Sequence, residues 1–204
     1  MSRPMDRDSV LPAIGAIDEE AGEFWVENPF SMMSAGKNLS AFERNRLFLN
    51  RNGSDFIDAS FASEADIDAD SRSVIPADFD NDGKIDLLVG SVGGGPLRLF
   101  KNQLPSNNHV RIELIDRNRA AIGSRVILRC GDRKIVRDLF AGNGFMGQSP
   151  AELHIGVGSA DSIDELEIQW ASSDSPQRQV FKKLPVNCRI SIASGGGSPV
   201  VAKQ

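Results

Sequence analysis

From Asn45 onward the chain is a succession of short apolar segments, each a few residues long, cut by Gly, Asn, Asp and Pro. That punctuation is the strongest constraint on the fold. A helix burying one face needs apolar residues recurring every three to four positions over about ten residues or more, and such periodicity is nearly absent. Strands need only four to eight suitable residues between turn formers. Val110, Ile112 and Leu114 alternate with Arg111 and Glu113, and Leu166, Ile168 and Trp170 alternate with Glu165, Glu167 and Gln169. Alternation of this kind gives a sheet one dry face and one wet face. Further strands are predicted over 125–128, 134–139, 152–155 and 189–192, enough for a compact sandwich or barrel.

Four segments follow from the pattern. Residues 1–37 show no sustained period, mixing acidic residues with Phe24, Trp25 and Pro29, and read as an irregular lead-in. Within 38–104 a phrase recurs: Asn45-Arg46-Leu47-Phe48-Leu49-Asn50 returns as Pro96-Leu97-Arg98-Leu99-Phe100-Lys101-Asn102. Phe48 and Phe100 are about fifty residues apart, near the length of one propeller blade. Residues 105–194 form the clearly alternating β-domain, and the Gly/Ser-rich tail over 195–204 is expected to be disordered. The predicted class is therefore all-β, about one propeller-like repeat followed by a sandwich-like or barrel-like domain.

Composition narrows the partners. Of 204 residues, 40% are hydrophobic and 25% charged, a balance suited to globular domains. A net charge of -5 argues against nucleic acid and anionic membranes, which are held by clustered positive charge. No segment reaches the roughly 20 consecutive apolar residues of a membrane-spanning helix, and no signal peptide is visible at the start. Neither nucleic-acid binding nor membrane insertion is expected. Cys130 and Cys188 lack zinc-site spacing and are too few for a disulfide scaffold, so each is read as a small packed apolar residue, with a bridge between them left open.

The segment with the most chemistry is Asp78-Phe79-Asp80-Asn81-Asp82-Gly83-Lys84-Ile85-Asp86. Carboxylates fall at positions one, three, five and nine around a glycine. Calcium takes six to eight hard oxygen ligands, and alternate residues of a tight turn point inward. Asp78, Asp80, Asp82 and Asp86, with the Lys84 carbonyl, are the candidate calcium ligands. Crowded carboxylates repel one another without a cation. Val89 stands where an EF-hand has its bidentate Glu, and 85–89 reads as a buried strand, so the expectation is a strand-to-strand loop. Upstream, Asp66, Asp68 and Asp70 alternate without the glycine and are read as a polar turn.

Other chemical-looking signals carry less. Gly142-Asn143-Gly144-Phe145-Met146-Gly147 has dinucleotide-loop spacing, but Gln148-Ser149-Pro150 and a strand follow where a helix is required. Gly93-Gly94-Gly95-Pro96 lacks the Lys-Ser/Thr of a phosphate loop. Sequons at Asn38 and Asn52 matter only in a eukaryotic secretory pathway. His154 is read as a hydrogen-bonded structural histidine, and Asp161 and Asp164 as turn formers. No nucleophile and base pair stands out, and no enzymatic activity is expected.

The phrases NRLFLNRNG, ADFDNDGKIDLLVG and LRLFKN resemble the FG-GAP or VCBS repeat of integrin-α-like propellers. The marks NHVRIEL, RAAIGSRVIL, LHIGVG and IDELEIQW resemble the ASPIC/UnbV domain that follows such repeats in proteins similar to cartilage acidic protein. The resemblance implies an extracellular, periplasmic or cell-surface setting and a non-catalytic calcium-binding recognition or adhesion module, its ligand an unknown protein or carbohydrate. It supports metal ligation at Asp78, Asp80, Asp82, Lys84 and Asp86 and supplies no catalytic residue. One blade leaves open sheet edges, which a partner or second copy could pair. Two further readings remain: a calcium-dependent polysaccharide hydrolase or lyase using Asp164 or His154, and a purely structural β-domain.

Overall fold

The computed structural model describes residues 44–51, 53–67, 69, 71–91, 96–140, 142, 147–172 and 178–203. No helix occurs among them; their regular structure is all strand. β1 (Phe48–Arg51) pairs with β2 (Asp55–Asp58) in a two-stranded sheet, and β3 (Ser71–Ala77), β4 (Asp86–Ser91) and β5 (Arg98–Phe100) form a three-stranded sheet in that order. The two copies of the recurring phrase thus become β1 and β5, members of separate sheets. The described residues fall into two compact units, one reaching to Val74 and including Leu88–Phe100, the other comprising Ile75–Leu87 and the chain from Lys101.

The larger part of the second unit is a sandwich. One sheet has the order β10 (Leu153–Gly158), β6 (Asn108–Asp116), β13 (Cys188–Ala193), β14 (Val200–Lys203), with β7 (Arg119–Ala120) also paired to β6. The other has the order β12 (Arg178–Pro185), β11 (Ser162–Gln169), β8 (Arg125–Cys130), β9 (Arg133–Asp138). Neither closes on itself, so of the two architectures left open by the sequence the sandwich is the one formed.

Alternation explains the layers. Val110, Ile112 and Leu114 of β6 and Ile190 and Ile192 of β13 join Val126 and Leu128 of β8 and Leu166 and Ile168 of β11 in one core cluster. β6 and β13 run parallel, Val110 opposite Cys188 and Leu114 opposite Ile192. Cys130 and Cys188 are both free and buried in this core, and burial raises both thiols above their ordinary pKa. They pack as apolar residues.

Turn chemistry sets the registers. The β6–β7 hairpin closes on Arg117 and Asn118, at φ of 51° and 60°, the consecutive left-handed pair that lets a two-residue loop follow strand twist. β12 was not foreseen. Its buried positions change parity at Lys183, where φ is 55°. Phe181 and Leu184 lie opposite the buried Leu166 and Ile163 of β11 although they are three residues apart, so a simple two-residue period does not find them.

The tail requires a correction. It was expected to be disordered, but Val200–Lys203 form β14, with Ile190 opposite Val201 and Ser191 opposite Val200. The Gly/Ser stretch is the turn that returns the chain along β13, and the β-branched valines after it suit an edge strand. The lead-in over 1–37 lies outside the described residues.

Because Ile112 is wholly buried, Ile112→Ala is expected to lower the unfolding free energy by about 2–5 kcal/mol. Val136→Ala, at a half-exposed site on β9, should cost less than about 1 kcal/mol. Urea unfolding of the two variants checks the assignment of faces.

Candidate metal centre

The aspartate loop joins the end of β3 to the start of β4, as the strand-to-strand reading requires. Asp78 follows Ala77, the last residue of β3, and its side chain is 1% exposed. Its Oδ1 accepts a hydrogen bond from the Asp82 amide (3.1 Å) and its Oδ2 one from the Gly83 amide (3.0 Å). Asp80 Oδ1 also accepts from the Asp82 amide, at 3.2 Å, and Asp82 Oδ1 accepts from the Lys84 amide, at 3.0 Å. These side-chain-to-amide bonds wind the chain into a tight coil. Asn81 and Gly83 take left-handed φ of 58° and 84°.

Asp86 begins β4 and is 1% exposed. Its Oδ1 accepts from the Asn102 amide (2.8 Å) and its Oδ2 from the Phe79 amide (3.3 Å), while Asn102 Nδ2 donates to the Ile85 carbonyl at 3.2 Å. Asn102 went unnoticed in the sequence, although it ends the recurring phrase. Its counterpart Asn50 likewise caps a turn, accepting from the Gly53 amide at 2.7 Å.

Asp78, Asp80 and Asp86 each bring one carboxylate oxygen to within 4.8 Å of the others. Calcium–oxygen distances of about 2.3–2.6 Å let two ligands of one ion stand up to about 5 Å apart, so the three oxygens fit one such cation. Asp82 is outside this group. Its Oδ2 lies 3.1 Å from Lys84 Nζ and 4.0 Å from Lys101 Nζ. Lys84 thus directs its ammonium at Asp82, and its carbonyl belongs to no side-chain cluster. Lys101 pairs closely with Asp80. That hydrogen bond holds the exposed Asp80 carboxyl below its ordinary pKa and raises that of Lys101.

The loop rests on two histidines of the sandwich. His109 and His154 stack with ring centroids 4.9 Å apart and planes 7° from parallel. A Cβ on Gly83 would lie 2.3 Å from His109 Cε1, so both the backbone angle and the available space demand glycine there. His154, read as a hydrogen-bonded structural histidine, stacks on His109 beside the Gly83 backbone, and its Nδ1 is buried without a partner. Burial, then the neighbouring His109, pushes the His154 pKa below its ordinary value.

The remaining sequence signals resolve as structure or fall outside the described residues. Asp164 Oδ2 accepts from the Gly131 amide at 2.7 Å, fastening the β8–β9 turn to β11, which fits a turn-forming role. Asp66 accepts from Arg44 Nε at 2.6 Å. Asp68, Asp70, the Gly93–Gly95 run and 143–146 of the glycine-rich stretch are not among the described residues.

Two outcomes follow. Gly83→Ala should destabilise the protein by more than about 2 kcal/mol, since a left-handed alanine alone costs about 1–2 kcal/mol and the stacked imidazole blocks the methyl. Denaturant unfolding measures it. For His154 the folded pKa is depressed, so its contribution to stability is fully present above about pH 6.5 and is lost as pH falls below that toward the folded value. Midpoints measured between about pH 7.5 and pH 5 should fall less steeply for His154→Gln.

Among the described residues no helix is long and apolar enough to cross a membrane. No curated protein matches the chain. Family models do match, in two consecutive segments: an FG-GAP-like repeat over residues 33–89 and an ASPIC and UnbV domain over residues 115–199. The first match contains all five candidate ligands, and the second covers nearly all of the sandwich beyond β6. The chain is thus similar to an FG-GAP-like repeat over its first match and to an ASPIC and UnbV domain over its second, in that order.

Proposed function

We propose that this chain is a non-catalytic, calcium-binding recognition or adhesion module of the extracellular type. The observation that carries the reading is the convergence of Asp78, Asp80 and Asp86 oxygens within 4.8 Å on a loop inside the FG-GAP-like match. All-oxygen, all-carboxylate side chains at such a site suit a hard cation, and calcium tolerates the irregular geometry of a loop better than magnesium does. Asp78 and Asp86, both buried, would supply the fixed part of the coordination shell. Asp80 is exposed and would close it, and the Lys84 carbonyl and Asp82 remain candidate ligands on the strength of their positions in the loop.

Calcium here would be structural. It would neutralise the crowded carboxylates and fix the turn between β3 and β4, leaving the surrounding surface to bind a protein or carbohydrate. A site of this kind in extracellular modules has a dissociation constant of about 10⁻⁴–10⁻³ M, matched to surroundings always rich in the ion. Among the described residues no further strand pairs with the two- and three-stranded sheets, whose edges would offer a place for a partner strand or a second copy to pair.

Thermal unfolding in calcium and in chelator tests the reading. At about 10 mM calcium the ion should add about 1.4–2.7 kcal/mol of stability, raising the native midpoint by several degrees. Asp80→Ala, at an exposed position that leaves the buried carboxylates in place, should lose most of that rise. An equal midpoint with calcium and with chelator for the native chain would refute calcium binding.

A further inference from the structure

We infer that the C-terminal sandwich holds the aspartate loop in its ligating shape through Arg111, which acts as a positioning residue for the ion. This rests on the calcium reading above. Arg111 lies on β6, distant in sequence from the loop, yet its Nη1 donates to Asn81 Oδ1 at 2.9 Å. Asn81 sits between Asp80 and Asp82 and has a left-handed backbone, so the bond fixes the residue on which the coil turns.

The guanidinium is itself held. Its Nε and Nη2 both donate to Glu152 Oε1, at 3.0 Å and 2.6 Å. Arg189 Nη2 approaches Glu152 Oε2 at 3.5 Å and Glu113 Oε1 at 3.4 Å. The Arg111 and Glu152 side chains are 15% and 13% exposed. A planar, forked donor anchored on two nitrogens presents its third in a fixed direction. A few residues further along the loop, Gly83 rests against the His109 ring. The sandwich therefore grips the loop on both sides of Asp82, at Asn81 and at Gly83, and leaves the Asp80 and Asp86 carboxylates for the ion.

Charge and position make opposite predictions for this residue, which makes the inference decidable. Arg111 Nη1 lies 4.0 Å from Asp78 Oδ2 and carries the same sign as the ion. If electrostatics alone governed, neutralising Arg111 would tighten calcium binding. If the residue positions the loop, neutralising it weakens binding even though a repulsive charge is removed.

The experiment is calorimetric titration of the full chain with calcium chloride for the native protein, Arg111→Gln, Asn81→Gly and the double variant. Glycine suits the left-handed backbone at Asn81, so Asn81→Gly removes the hydrogen bond without a change of charge or added strain. Each single variant should bind about tenfold more weakly, the scale of one charge-assisted hydrogen bond. The double variant should be hardly weaker than either, because both substitutions delete one interaction. Loop amides over 79–84 should exchange faster in Arg111→Gln than in the native chain, both in chelator.

Tighter or unchanged binding by Arg111→Gln, or fully additive losses in the double variant, would overturn the positioning role while leaving calcium binding intact. No binding by the native chain itself would overturn both. Should Arg111→Gln fail to fold, Asn81→Gly decides alone: native-like affinity there refutes the inference.

Discussion

The parallel pairing of β6 with β13 is the constraint on which the sandwich depends. Parallel neighbours cannot be joined by a tight turn, and here the connection between them includes β7 through β12. Their union brings Ser191 Oγ to Glu113 Oε2 at 2.7 Å across 78 residues of sequence. At the start of β6, Asn187 secures the pair. Its amide donates to the His109 carbonyl at 2.7 Å, its Oδ1 accepts from the His109 amide at 3.1 Å, and its Nδ2 donates to Asn108 Oδ1 at 2.8 Å. Once β6 is placed between β10 and β13, its inward residues make one wall of the core and its outward residues become available to the loop. His109 and Arg111 owe their positions to that placement.

How much of this was legible follows from what each feature depends on. The inward residues of β6 and β11 were legible because a half-buried strand writes its period directly into the sequence. The loop was legible because its carboxylates and its glycine are neighbours in the chain. β12 was not, since the left-handed Lys183 shifts its parity, and β14 was hidden behind glycines and serines that read as a tail. Arg111, Glu152 and Asn102 were beyond reach for a different reason. Arg111 and Asn102 meet the loop, and Glu152 meets Arg111, only after separate segments have been brought together, and an arginine on the wet face of a strand looks like any other solvated charge. Asp82 was legible as one of a set, whereas its carboxylate sits with Lys84 and apart from the three convergent oxygens.

The site itself balances two needs. Carboxylates that converge on an ion repel one another, and the protein answers with backbone amides and with cations placed at differing distances. The Asp78 and Asp86 carboxylates each accept from two amides, which fixes their direction without occupying every lone pair. Asp80 has one amide and a lysine that is half-exposed. Buried and exposed carboxylates thus coexist in a single turn.

The β6–β13 union also dictates an order of events during synthesis. The ribosome delivers β6 first, then the whole of the facing sheet, and only afterwards the strand that β6 must adopt as its neighbour. Until Cys188–Ala193 emerge, one edge of β6 is an unpaired ladder beside the apolar row of Val110, Ile112 and Leu114. Closing so long a loop is slow, and a nascent chain in that state is open to strands of other molecules. The same topology that makes the mature sandwich well connected therefore leaves its assembly waiting on almost the last strand, a vulnerability borne by the newborn chain and absent from the finished protein.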